Sequence, residues 1–178
     1  MIERCFRHVL LLMCLSLLPL AATADDACLR LTATGNPEYP PYLWRDPLNP
    51  QRLIGANADL LKYLGKQLGL DIEVVYAGPW SRAQEEVRTG RIDLMAGYFL
   101  TEARRQHVDF IAPPFLRTPS VIWVRQDNAF AYQQWADLKG RKGGTLVNNS
   151  HGQQFDEYAA ANLTLEAVPS ARQAFEKL

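Results

Sequence analysis

From residue 29 onward the chain alternates short apolar runs of strand length with stretches whose apolar positions recur at helical spacing. Residues 29–34 alternate and lean toward β, residues 72–76 form a second strand, and residues 92–96 (Ile92, Leu94 and Met95 at their heart) a third. Between the first two, Leu60, Leu61, Leu64 and Leu68 mark a helix that starts near Asn57 or Asp59 and ends before Gly69. A second helix opens at Pro79-Trp80-Ser81, where Ser81 and Gln84 fit a capping box, and closes at Gly90. Thr101 caps the next helix with its hydroxyl. Residues 108–111 predict another short strand, Pro113 and Pro114 break regular structure, and residues 121–124 read as a strand leading elsewhere. The pattern then restarts. A turn at 136–140 precedes a strand at 144–147, a helix at 153–162, a strand at 163–167, and a helix capped by Ser170 that is still running at Leu178.

Residues 35–57 break this rhythm. Pro37, Pro40, Pro41, Pro47 and Pro50 crowd a long connection, and a loop of that length in a compact domain is usually functional or disordered. The prolines stiffen it and argue for function. Tyr39 stands among them, where packing alone rarely places an aromatic, while Tyr42 and Trp44 are expected to pack beneath the loop.

Strands alternating with helices indicate an α/β fold with mostly parallel sheets. The restart after Ile111 divides the chain into residues 25–118, a first lobe able to bury its own core, and residues 119–178, a hinge strand and partial second lobe. About sixty residues make a marginal domain, so the chain reads as the front part of a longer protein with its second lobe incomplete.

The first 24 residues are excluded from the fold as a cleavable export signal. Arg4 and Arg7 give its positive start, residues 9–20 its apolar stretch, and Ala22-Thr23-Ala24 its small-residue cleavage site. The uncharged run is shorter than the roughly 20 residues a membrane span needs, so the reading is a soluble, periplasmic protein. Removing this segment takes Glu3, Arg4 and Arg7 from the 19 basic and 19 acidic residues. The remainder carries a net charge of −1 with no block of like charge, which argues against nucleic acid or an anionic membrane as partner. Of three cysteines only Cys28 survives cleavage. It is either a small half-buried residue beside the first strand or half of a disulfide. No metal site, cofactor or catalytic residue is predicted.

The most informative stretch is residues 89–110, TGRIDLMAGYFLTEARRQHVDF. It reads as a helix end, a buried strand, a turn at Gly97 and a new helix start at Thr101 followed at once by Arg104 and Arg105. Free N–H groups at a helix start beside an arginine fork make a socket for a carboxylate or phosphate. Arg104, directly after the strand end, is the ligand-facing candidate, and Arg105 its solvent-facing neighbour. Trp80, beside Pro79 at a helix start, suits a pocket wall. His151 reads as a solvated loop residue.

The segments GNPEYPPY, IGANADLLKYLGKQLG, VRTGRIDLMAGYFLTEARR, VDFIAPPF and ADLKGRKGG occur in that order over nearly the whole mature sequence. In order and spacing the chain resembles the periplasmic amino-acid-type solute-binding proteins of ABC importers, extracellular solute-binding protein family 3. The resemblance implies the two-lobed periplasmic binding protein fold (type II), with ligand held in the cleft and closure about a hinge. It implies a monomer that captures an amino acid or related small carboxylate and delivers it to a membrane permease. Carried over residue by residue, it puts the carboxylate-binding arginine at Arg104, a carbonyl for the ligand amino group at Gly97, the covering aromatic at Tyr39 and the opposite wall at Trp80. The second lobe's anion-contacting turn falls at Asn149, Ser150 and His151, with Ser150 its candidate contact. Phe99 stands where the family has a small hydroxyl residue, which makes the pocket more apolar, and the usual acid for the ligand ammonium falls beyond Leu178. Two other functions fit the same fold: a ligand-sensing domain of a larger signalling protein, and a cyclohexadienyl dehydratase-like enzyme.

Overall fold

The structure is a computed structural model and describes residues 29–178; the export signal and Cys28 lie outside the described residues. In chain order, β1 (Arg30–Thr34), β2 (Glu38–Tyr39), β3 (Leu43–Arg45) and β4 (Leu53–Ile54) precede helix α1 (Ala56–Leu68). β5 (Asp71–Val74), α2 (Trp80–Arg88), β6 (Leu94–Met95) and the one-turn α3 (Glu102–Arg105) follow. Two 3-10 turns (Gln126–Asn128 and Trp135–Leu138) interrupt an irregular stretch before β7 (Lys142–Leu146), α4 (Gln153–Asn162), β8 (Thr164–Val168) and α5 (Ala171–Glu176).

β1 is the middle of a parallel sheet ordered β5-β1-β6, with Ala33 opposite Val74 on one side and Leu94 on the other. Pairing on both edges satisfies the backbone of β1, and packing over the faces of the sheet leaves Ala33 and Thr34 fully buried. Leu43, Leu53, Ala58, Ile72, Val74 and Ala96 close the core around them. Each large apolar side chain so buried contributes about 1.5–3 kcal/mol. α1 reaches this core by backbone approach. A side chain at Gly65 would start 2.8 Å from the Leu70 carbonyl oxygen and 2.9 Å from Ile72, so only glycine lets the helix lie so close to β5. Gly69 ends the helix in the left-handed conformation at φ 70°.

Several expectations are met within a residue or two: β1, α1, β5, α2, β7, α4 and β8 all form, and Ser170 caps α5 by accepting the Gln173 N–H. Others are corrected. The proline-rich stretch is an antiparallel meander, β2-β3-β4, because the prolines fall in its turns and leave Tyr39, Leu43, Trp44 and Leu53 free to pair. α1 starts from Gly55, at φ 123°, with no side-chain cap. α2 starts from Pro79, and Ser81 does not cap it. Residues 108–111 and 121–124 form no strand. Among the described residues no edge pairs with the latter, and Val121 and Trp123 stay 64% and 66% exposed.

The second region, from about residue 135, is a parallel pair β7-β8 with α4 and α5 packed on it. Only Leu138, Ala159 and Val168 of its apolar residues are buried. Trp135, Phe155 and Tyr158 cluster beside them, with ring centroids 5.4 to 5.5 Å from Trp135. No described helix is long and apolar enough to cross a membrane.

Candidate functional site

The two regions face each other across a cleft of about 470 Å³. Its first wall is built at the β1–β6 end of the parallel sheet. The Ala96 N–H donates to the Thr34 carbonyl at 2.7 Å, which seats the end of β6 against β1. Gly97 follows at φ 99°, and a Cβ there would lie 2.6 Å from Asn57 Nδ2. Asn57 is buried in α1 and donates to the Ala96 carbonyl at 2.9 Å, so it pins this turn to the helix.

Thr101 caps α3 by accepting the Arg104 N–H. The predicted anion socket is simpler than the sequence suggests, because α3 is one turn long and its leading amide is taken: the Glu102 N–H donates to Gln153 Oε1 at 3.2 Å. Anion attraction on this wall comes from the Arg104 guanidinium. Its Nη1 donates to the Phe99 carbonyl at 3.1 Å, and its Nη2 to Gln84 Oε1 at 3.4 Å and the Asn148 carbonyl at 3.2 Å. The Tyr98 ring lies under it, 3.9 Å from Cζ to centroid. Among the described residues no carboxylate lies within ion-pair distance of Arg104, whereas Arg105 pairs with Glu102 at the surface.

Burial pulls the Arg104 guanidinium below its ordinary value, opposed by Tyr98 and Asp156. It remains charged at neutral pH. Burial pushes the Tyr98 phenol up, against the influence of Arg104. A half-buried cation held by neutral acceptors is a receptor for negative charge.

Aromatic side chains frame it. Trp80, 7% exposed, meets Tyr98 edge-on at 5.6 Å and lies 6.0 Å from Arg104 Cζ. Its indole N–H has no acceptor among the described residues. Tyr39 and Tyr42 line the opposite lip with ring centroids 5.3 Å apart, so Tyr42 belongs to the cleft as well as to the packing beneath the meander. Phe99 is 39% exposed on the cleft surface, and Phe115 closes over Gly97.

The second wall is the turn after β7. Asn148 takes the left-handed conformation at φ 57°, which asparagine tolerates. Ser150 is buried, but its hydroxyl is committed: it donates to Asp156 and accepts the Gly152 N–H. Asp156 also accepts the His151 N–H at 2.9 Å. The His151 ring is half-buried rather than solvated, with Nε2 at 2.9 Å from Thr145 Oγ1 and a T-shaped contact with the Phe155 ring at 5.7 Å between centroids. Burial lowers its basicity, with Asp156 opposing.

Tyr39, Trp80, Gly97, Phe99, Arg104 and Ser150 therefore all line one cleft. Sequence reading missed Tyr98, Gln84 and Asn57. Gln84 stands one helical turn after Trp80 and so shares its face, a signal available in the spacing. Among the described residues four hydrogen bonds cross the cleft: Arg104 and Gln84 to Asn148, Glu102 to Gln153, and the Ala171 N–H to Glu38 Oε2 at 2.8 Å. Among the described residues no three metal-ligating side chains converge. A separate hollow at the β5 edge, lined by Arg30, Arg52, Lys62 and Lys66, shares no residue with the cleft.

Known proteins share this fold. The chain is 28% identical over 123 residues to the arginine-binding protein ArgT of Corynebacterium glutamicum, covering 68% of this chain and 34% of that one. An ancestral arginine-binding protein bound to arginine superposes with a TM-score of 0.69 at 26% identity, covering 84% of this chain and 65% of its own. An ancestral amino acid-binding protein, AncCDT-1, described as a precursor of cyclohexadienyl dehydratase, superposes with a TM-score of 0.66 at 24% identity over 85% and 66% of the two chains. The chain thus spans about a third of the curated relative's length and about two thirds of the solved ones, and it has their two-lobed periplasmic binding protein fold. Residues 31–176 match the model of the bacterial extracellular solute-binding proteins, family 3, and the chain belongs to that family.

Proposed function

We propose that this is a periplasmic solute-binding protein that captures an amino acid or related small carboxylate and presents it to the permease of an ABC importer. The observation that carries the reading is Arg104, a half-buried cation in an aromatic cleft whose partners are all neutral. The ligand carboxylate docks on Arg104 and its body lies between Tyr39 and Trp80. The Gly97 carbonyl faces an amino group, Phe99 narrows the pocket, and Ser150 shapes the second wall. Relatives that bind arginine support the amino-acid class. Residues 1–24 act as the export signal, residues 25–118 as the first lobe and residues 119–178 as the hinge, which is not a strand, and part of the second lobe. The protein works as a monomer without cofactor or catalysis.

The test is a thermal-shift panel of the L-amino acids and small carboxylates on the whole mature protein. A ligand at a hundredfold excess over its Kd adds about 2.7 kcal/mol, a rise of about 5–10 °C for a domain of this size. Arg104→Ala abolishes that rise and leaves the unliganded melting point close to the parent's. Arg104→Lys keeps charge but loses the fork, and falls between. A panel without any shift, or an Arg104→Ala variant that binds like the parent, removes the reading. Prephenate added to the same protein, with its turnover followed, separates binding from the dehydratase alternative suggested by the AncCDT-1 likeness.

A further inference from the structure

We infer that Gln84 is a positioning residue of the cleft: it aims the Arg104 fork at the ligand and holds the second wall in place when the ligand arrives. The inference rests on the solute-binding reading above and adds to it the residue that couples capture to closure.

Gln84 projects from α2 one turn beyond Trp80 and uses both ends of its amide. Its Oε1 accepts the Tyr98 hydroxyl at 2.7 Å and Arg104 Nη2 at 3.4 Å, while its Nε2 donates to the Asn148 carbonyl at 3.1 Å and the Trp80 carbonyl at 3.4 Å. It alone among the described side chains hydrogen-bonds to Arg104, to the aromatic beneath Arg104, and to the opposite wall. The Tyr98 hydroxyl donates to Oε1, which orients the amide and leaves Nε2 facing Asn148.

Hydrogen-bond arithmetic gives the consequence. A carboxylate binds arginine with two parallel N–H groups, and both such forks of a guanidinium include an Nη2 hydrogen. Nη2 has two hydrogens, and here they go to Gln84 and to Asn148. A bidentate carboxylate must displace one of them. Gln84 is tethered by Tyr98 and by its own helix, so the Asn148 carbonyl is the oxygen that yields. That carbonyl still accepts Gln84 Nε2, and the second wall stays docked through Gln84 while the ligand takes its place on Arg104.

The test uses L-arginine and the panel compound giving the largest shift in the parent protein as probes, with affinity by titration calorimetry and rates by stopped-flow. Gln84→Glu places a carboxylate on Arg104 that competes with the ligand, so affinity falls a hundredfold or more while the unliganded melting point holds or rises. Gln84→Met keeps length but removes both hydrogen-bonding ends. Its affinity falls about tenfold, through a faster dissociation rate with association nearly unchanged. In the Arg104→Lys background, Gln84→Met adds at most a twofold loss, because there is no fork left to aim. Both Gln84 variants binding within twofold of the parent at parent-like dissociation rates would overturn the inference and leave the function standing. Failure of the parent itself to bind any panel compound removes the function and the inference together.

Discussion

The two walls of the cleft are made differently. The first stands on a sheet whose middle strand is covered on both edges and whose core, from Ala33 to Ala96, is closed to solvent. The second stands on a two-stranded sheet with few buried apolar residues and is held in shape by a polar knot, Ser150, His151 and Asp156. Hydrophobic burial fixes a surface through many small contacts, whereas a few hydrogen bonds fix one loop and leave its support free to shift. Arg104, Trp80 and Gly97 belong to the firm side, and the Asn148 carbonyl that reaches Arg104 belongs to the yielding one.

The largest effect that tests this contrast is a pair of identical truncations. Leu53→Ala removes a side chain with 0% exposure from the first core, and Leu138→Ala one with 8% exposure from the second. Leu→Ala in a core costs about 2–5 kcal/mol, depending on how well the site can collapse. Leu53→Ala falls in the upper half of that range and Leu138→Ala at or below its floor, read by urea unfolding. Equal losses would erase the distinction between the walls.

Next in size is Asp156→Ala. It leaves the Ser150 hydroxyl and the His151 amide without their acceptor, a loss of about 1–2 kcal/mol. Hydrogen exchange locates it: amides of residues 145–156 exchange faster, and those of β1 and β5 keep their protection. If β1 loosens equally, the walls are one cooperative unit.

The first wall was more legible in the sequence than the second. β1, α1 and the Thr101 cap follow from local spacing, and Gly97 and Arg104 from their place after a strand. The meander was hidden because prolines obscure pairing between very short strands, such as Tyr39 opposite Leu43 and Trp44 opposite Ile54. Residues 121–124 have strand composition, yet a strand forms only where an edge accepts its hydrogen bonds. The polar knot was invisible for a related reason: a serine, a histidine and an aspartate within seven positions look like an ordinary loop until a helix start brings Asp156 back onto the first two. Gln84 misled in another way. Its spacing from Ser81 suits a capping box, but the helix begins at Pro79 and the side chain is spent in the cleft.

A smaller, pH-dependent difference separates the walls. Burial holds the His151 imidazole below its ordinary 6.5 in the folded state. The unfolded chain then binds more protons as pH falls through about 6.5, and stability drops from there downward until the lower folded value is passed. His151→Gln flattens that part of a melting-temperature curve between pH 7 and pH 5. Asp93, on the first side, is held below its usual range by the Thr32 amide and then its hydroxyl, so its contribution is present above about 4 and lost only in stronger acid. A His151→Gln curve superposable on the parent's would contradict the assignment. Smallest of all is Asn148→Gly. At φ 57° glycine suits the backbone as well as asparagine does, and the change stays within about 0.5 kcal/mol.

The hydrogen bond from the Glu102 amide to Gln153 spans the cleft without involving the Arg104 socket. A ligand that needs both walls is held with an affinity scaled by the fraction of molecules in which the walls already meet. Gln153 therefore bears on how often the walls meet rather than on what the socket prefers. On the proposed solute-binding reading, weakening it lowers the affinity for every ligand by one common factor and leaves their order of preference untouched.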